Sequence, residues 1–253
     1  MLFILRQLRR LEIRKRSAQY FLYAFGEIVL IVMGIMIAMQ INSWSRYRSD
    51  RALERNFLHR FQIDLQDDLA NFGEEVEICQ RGLEAVKEAV ALLHSENVEE
   101  DFYKLNLLYD LAYIDSFNPQ YTTYEELEST GQLSLIRDES LRLAIQKLYA
   151  YYNRMEVGFD HIFIWRKNTT NGYDSETANL QYTEWNRDIF PPKTRSESEW
   201  AFLNDTEHPS FIKTETALAA TSFWLTWASS DYEKIIPQTQ ALRDQIDEAL
   251  ETL

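Results

Sequence analysis

The stretch YFLYAFGEIVLIVMGIMIAM, residues 20–39, decides how the rest of the chain is read. It carries a single charge, Glu27, and a helix rising 1.5 Å per residue over that length covers the ~30 Å hydrocarbon core of a bilayer. A buried core helix is the alternative, but such helices are shorter or carry a polar stripe. The flanks here also hold amphipathic aromatics, Tyr20 and Tyr23 before and Trp44 and Tyr47 after. The sequence therefore predicts a transmembrane helix over residues 20–42, with those four side chains as interface anchors. A cleavable signal peptide is disfavoured: the apolar run exceeds an h-region, and Ala38-Met39-Gln40 is not a small-x-small cleavage site.

Working outward, charge divides the chain. Residues 1–60 hold eleven Lys/Arg against four Asp/Glu, whereas the whole chain carries a formal charge of -14. Before the span stand Arg6, Arg9, Arg10, Arg14, Lys15 and Arg16; after it stand Arg46, Arg48, Arg51, Arg55 and Arg60. Six against five within reach of the membrane favours a cytoplasmic amino terminus and an outward-facing acidic bulk. Residues 1–19 read as a basic amphipathic segment on the anionic inner leaflet, with Ile4, Leu5, Leu8, Leu11 and Ile13 among the arginines.

Inside the span, Gly26 and Gly34 share one helix face with Leu30 between them, permitting close helix approach, and Glu27, Gln40 and Asn42 are its polar members. An ionised Glu27 in hydrocarbon costs a few kcal/mol unless paired, protonated or wet. Two readings stay open: a structural Glu27 that snorkels or accepts a hydrogen bond from a second copy of the helix, or part of an ion or proton pathway. Both predict a homo-oligomer.

Past the membrane, residues 43–95 contain no Pro and repeat apolar positions at Leu58, Phe61, Leu65, Leu69, Phe72, Val76, Cys79, Leu83, Val86, Val90 and Leu93. Steps of three and four make a seam near period 3.5, which predicts a continuous helical stalk, with a hairpin broken at Gly73 as the alternative. Residues 96–253 are expected to form an extracytoplasmic helical bundle. Phe102, Leu105, Leu108 and Ala112 mark one helix ending before Asn118-Pro119. Thr123-x-x-Glu126 matches a capping box, Gly131 suits a left-handed helix end, and Asp138 caps a helix to about Lys167. Residues 186–208, with Pro191-Pro192, read as a loop, and 210–253 as a helix kinked near Pro237. Seven Gly and five Pro in 253 residues are too few for a turn-rich sheet protein. The fold class is all-α.

Chemical motifs are missing. The closest glycines are eight apart, so no dinucleotide or phosphate loop exists. No Glu stands three residues before His59, His94, His161 or His208, which removes the di-iron pattern. The lone Cys79 can form neither an internal disulfide nor a thiolate zinc site, and the acidic balance argues against nucleic acid. Asp160-His161 point apart on a helix, and Glu74-Glu75, Glu99-Glu100-Asp101 and Glu125-Glu126 lack a calcium-loop pattern. No catalytic residue, metal or cofactor is expected. The one sign of a pocket is aromatic excess in the second half: Tyr149, Tyr151, Tyr152, Phe159, Phe163, Trp165, Tyr173, Trp185, Trp200, Trp224 and Trp227.

Two blocks carry a resemblance. Tyr20, Tyr23-Ala24, Gly26-Glu27-Ile28, Leu30, Gly34-Ile35, Ile37-Ala38, Gln40-Ile41-Asn42 and Trp44 form one. Tyr124-Glu125-Glu126-Leu127, Ser129, Gly131, Leu133, Leu135-Ile136, Leu141, Ile145 and Tyr151-Tyr152 form the other. Together they resemble a bacterial family of single-pass membrane proteins of unknown function. The resemblance implies an inner-membrane anchor with a periplasmic helical domain, and no known activity. The expected role is a non-enzymatic, membrane-anchored oligomeric scaffold whose partners are the lipid bilayer, its own copies and an extracytoplasmic protein. A Glu27-based conductor and a solute sensor using the aromatic cluster are the alternatives.

Overall fold

The computed structural model describes residues 2–95, 117–176 and 201–252. Among these no strand occurs, and the fold is all-α: α1 (Leu2–Leu93), α2 (Thr122–Ser129), α3 (Glu139–Glu176) and α4 (Pro209–Thr252), with short 3-10 turns at Gln132–Leu135 and Ala201–Asn204. The chain divides into two units, Met1–Arg55 and Asn56–Leu253. The helix expected over residues 102–112 lies outside the described residues.

α1 runs unbroken through Gly73 and Gly82, which excludes a hairpin at Gly73. The first proline is Pro119, and two interior glycines cost only about 1 kcal/mol each against Ala. In the first unit the apolar residues of α1 from Phe25 to Ile41 are largely exposed. This part of α1 holds a window long and apolar enough to cross a membrane.

The second unit packs residues 56–93 of α1 with α3 and α4. Gln62 donates from Nε2 to Asp247 Oδ1, Phe72 meets Tyr232 at 5.7 Å between ring centroids, and His94 Nε2 lies 3.1 Å from Glu215 Oε1. Rising numbers on α1 pair with falling numbers on α4, so these helices are antiparallel. α3 and α4 are antiparallel as well, from Tyr152 beside Thr239 to Trp165 beside Phe223. The apolar stripes of the three helices close on a core rich in rings: Phe117 lies 5.3 to 5.9 Å from Phe72, Phe159, Tyr152 and Tyr232. Of the expected aromatic excess, Tyr149, Tyr152, Phe159 and Trp224 are buried in the core, Tyr151, Phe163 and Trp227 pack against it half-buried, and Trp165 is exposed. Tyr173, Trp185 and Trp200 lie outside the described side chains.

Local signals place the remaining ends. Gly131 takes the left-handed conformation (φ 68°) after α2, where Thr130 N–H donates to Glu126 O and Gly131 N–H to Glu128 O. The capping box is corrected: α2 already begins at Thr122, Tyr121 is its cap residue and makes no side-chain capping bond, and Thr123 is buried within the first turn. Burial there outweighs the cap, whose side chain would have to stay outside the helix. Asp138 does cap α3, its Oδ1 accepting from Ser140 N at 2.8 Å and Leu141 N at 3.2 Å. α3 extends to Glu176, past the expected end near Lys167 and through Gly172, with Arg166 and Thr170 still buried on one face. α4 contains Pro237 inside a helix of 44 residues, giving up one backbone bond while Ile235 and Thr239 stay buried on either side.

Candidate functional site

In the first unit, Gly26, Glu27, Gly34, Gln40 and Asn42 are all exposed, and a Cβ added to either glycine would meet nothing within 4 Å. Their face is therefore open to close approach by another helix. Tyr23, Trp44 and Tyr47 are exposed; the side chain of Tyr20 lies outside the described residues. Arg48 stacks its guanidinium over the Trp44 ring at 5.6 Å, and Arg51 lies over Tyr47 at 5.5 Å. Such pairs hold a cationic head beside an aromatic belt residue where an apolar run ends.

The seam behaves differently from a free stalk. Phe61, Leu65, Phe72, Cys79 and Val86 are buried in the core of the second unit, and Val76, Leu83 and Val90 pack against it half-buried, with Leu69 also half-buried. From Asn56 onward α1 belongs to the second unit. The heptad-like spacing is satisfied by α3 and α4 of the same chain, leaving this stripe no open face for a second copy. Burial also pushes the Cys79 thiol up to about 12.

Two features went unread in the sequence. One is Asp68, a fully buried carboxylate in a core of rings. Its Oδ1 accepts the Gln120 N–H at 2.8 Å, whereas Oδ2 has no hydrogen-bond partner among the described residues. Burial raises its pKa to about 7, against the opposing bonds from Gln120 and Tyr152. Asp64 and Asp67 on the same helix raise it further. Asp68 lies seven residues after Phe61, three after Leu65 and four before Phe72, so it falls on the seam face. That phase was the available signal.

The other is a cleft of about 470 Å³ between α2 and α3, lined by Tyr121, Tyr124, Glu125, Glu128, Tyr149, Ala150, Asn153 and Glu156. Tyr124 and Tyr149 stack with centroids 4.4 Å apart and planes 5° from parallel. Tyr149 donates to Gln120 O at 3.3 Å, so the residue whose amide holds Asp68 also holds the cleft wall. Tyr121 donates to Glu156 Oε2 at 3.1 Å and Tyr124 to Glu128 Oε1 at 3.2 Å. Burial, aided by those carboxylates, raises both phenol pKa values, so both remain neutral donors. In the sequence Tyr149 stands among the aromatics that hint at a pocket, while Glu128 and Glu156 belong to no motif; the turn at Gly131, which folds α2 toward α3, brings them together. Among the described residues no three of His, Cys, Asp or Glu converge as a metal site. Asp160 and His161 are both exposed on α3.

Residues 27–171 match the sequence pattern of a family of unknown function, DUF6090, over more than half of the chain. The chain belongs to that family. No curated protein and no solved structure matches it. The DUF6090 match takes in Glu27, Gly34, the whole seam, Asp68 and all of the cleft, while α4 lies beyond it. The match thus holds α2 and, up to residue 171, the α1 and α3 faces that build the core, but not α4.

Proposed function

We propose that this chain is a non-enzymatic, membrane-anchored scaffold or interaction protein that self-associates through residues 20–42 and presents the second unit to a partner outside the cytoplasm. The observation that carries the reading is the exposed apolar run from Phe25 to Ile41 with Gly26 and Gly34 open on its surface. Lipid tails match such a surface in polarity. Helix pairing in a bilayer therefore rests on close packing at small residues and on hydrogen bonds such as Glu27 could make. The basic leading segment and the acidic second unit support an inward amino terminus, and the resemblance noted in the sequence supports a bacterial inner membrane with a periplasmic domain.

Light scattering on the full chain in detergent and in lipid nanodiscs tests this. More than one copy per particle is expected, with Gly34→Leu shifting the population toward monomer. A monomer in both media would remove the self-association. Replacing Glu27 by Gln in liposomes separates the anchor from a conductor: the scaffold reading expects no proton or cation flux in either protein.

A further inference from the structure

We infer that the cleft between α2 and α3 is a binding site for an organic cation, an alkylammonium group carried by a free solute or by a lysine side chain of a partner protein. The inference stands on the second unit alone and does not depend on how the chain associates in the membrane. Exposed glutamates by themselves are ordinary solvated surface. Here they rim a concavity of about 470 Å³ whose wall is aromatic and fixed. Tyr149 is almost fully buried, stacked at 4.4 Å on Tyr124 and tied through its hydroxyl to Gln120 O, so the wall stands ready before any ligand arrives. Tyr121 and Tyr124 donate to Glu156 and Glu128, which orients the two carboxylates while leaving lone pairs open on each.

Among the described residues no Lys or Arg lines the cleft, and Arg60 is taken up by Glu126 at 2.7 Å. An anion is therefore repelled, and a neutral apolar ligand would desolvate carboxylates without compensation. A bare metal ion would need several oxygens closed around it, whereas these carboxylates are spread around ring faces. A cation with an apolar surface satisfies both parts, its charge meeting carboxylates and its methyl or methylene groups meeting tyrosine.

Calorimetric titration of the full chain in detergent, with choline as one probe and an end-blocked lysine tripeptide as the other, tests the assignment. Saturable binding is expected for at least one probe. Tighter binding of choline assigns the site to a solute, and tighter binding of the peptide to a partner protein. The isosteric pair Glu128→Gln and Glu156→Gln keeps the shape of the cleft and should weaken binding at least about fivefold, as should Tyr124→Ala. Glu84→Gln, on the surface of α1 away from the cleft, should not. Absence of saturable binding by both probes overturns the inference, and so does undiminished binding by a Glu128→Gln/Glu156→Gln protein whose thermal unfolding matches the parent.

Discussion

Asp68 shows what one residue can do to a helical core. Its folded-state pKa of about 7 lies above the unfolded value of 3.8, so the folded chain binds more protons between those limits. Stability linked to this group is therefore greatest below about pH 4, falls as pH rises toward 7, and is flat beyond. Asp68→Asn keeps an acceptor for the Gln120 N–H and removes the buried charge. We expect it to raise Tm at pH 8 and to flatten the fall between pH 4 and 7; thermal melts across that range, compared with the parent, check this. Cys79, buried and with its thiol pushed up to about 12, should resist maleimide in the native protein and react only on unfolding, which mass spectrometry would follow. At Gly131 the backbone requires φ 68°, so Gly131→Ala should cost about 1 kcal/mol in denaturant unfolding. The cap Asp138 and the turn Gly131 were legible in sequence because each answers to its immediate neighbours. Asp68 was legible only as an oddity of phase, since its meaning depends on what surrounds it.

At the scale of elements, the seam of α1 is the instructive case. Its spacing established a helix and the face that would be buried, but the same pattern serves a coiled coil between copies and a core within one chain. Phe61 and Phe72 meet Tyr149, Tyr152 and Tyr232 of α3 and α4, which decides for the core. Phe72→Ala should then destabilise by roughly 3–5 kcal/mol, whereas Ile63→Ala, on the exposed side of the same helix, should change stability little. Equilibrium denaturation at two protein concentrations distinguishes the cases, because loss within one chain is independent of concentration and loss between copies is not. The capping box over Thr123 failed for a related reason: a local signal was overridden by burial. The end of α3 moved outward to Glu176 because packing, not propensity, carries a helix past weak local signals.

For the molecule as a whole, the chain forms two units, Met1–Arg55 and Asn56–Leu253. A cysteine placed at exposed Glu84 should be labelled by an impermeant maleimide from the outer side of intact cells if the second unit faces outward, and only after permeabilisation if it does not. By itself the sequence determined the all-α class, the apolar span over residues 20–42 and the faces its helices bury. Each of these follows from periodicity, from run length, or from the shortage of Gly and Pro, which are properties of neighbouring residues. Only the tertiary structure decided that the α1 seam is filled by α3 and α4, that Asp68 is buried beside Tyr152, and that Tyr124, Tyr149, Glu128 and Glu156 share one cleft. Those outcomes depend on which faces meet. Helices with similar stripes can pair in many ways at nearly equal hydrophobic gain, and the choice is made by side-chain shape across chain separations that no local pattern records.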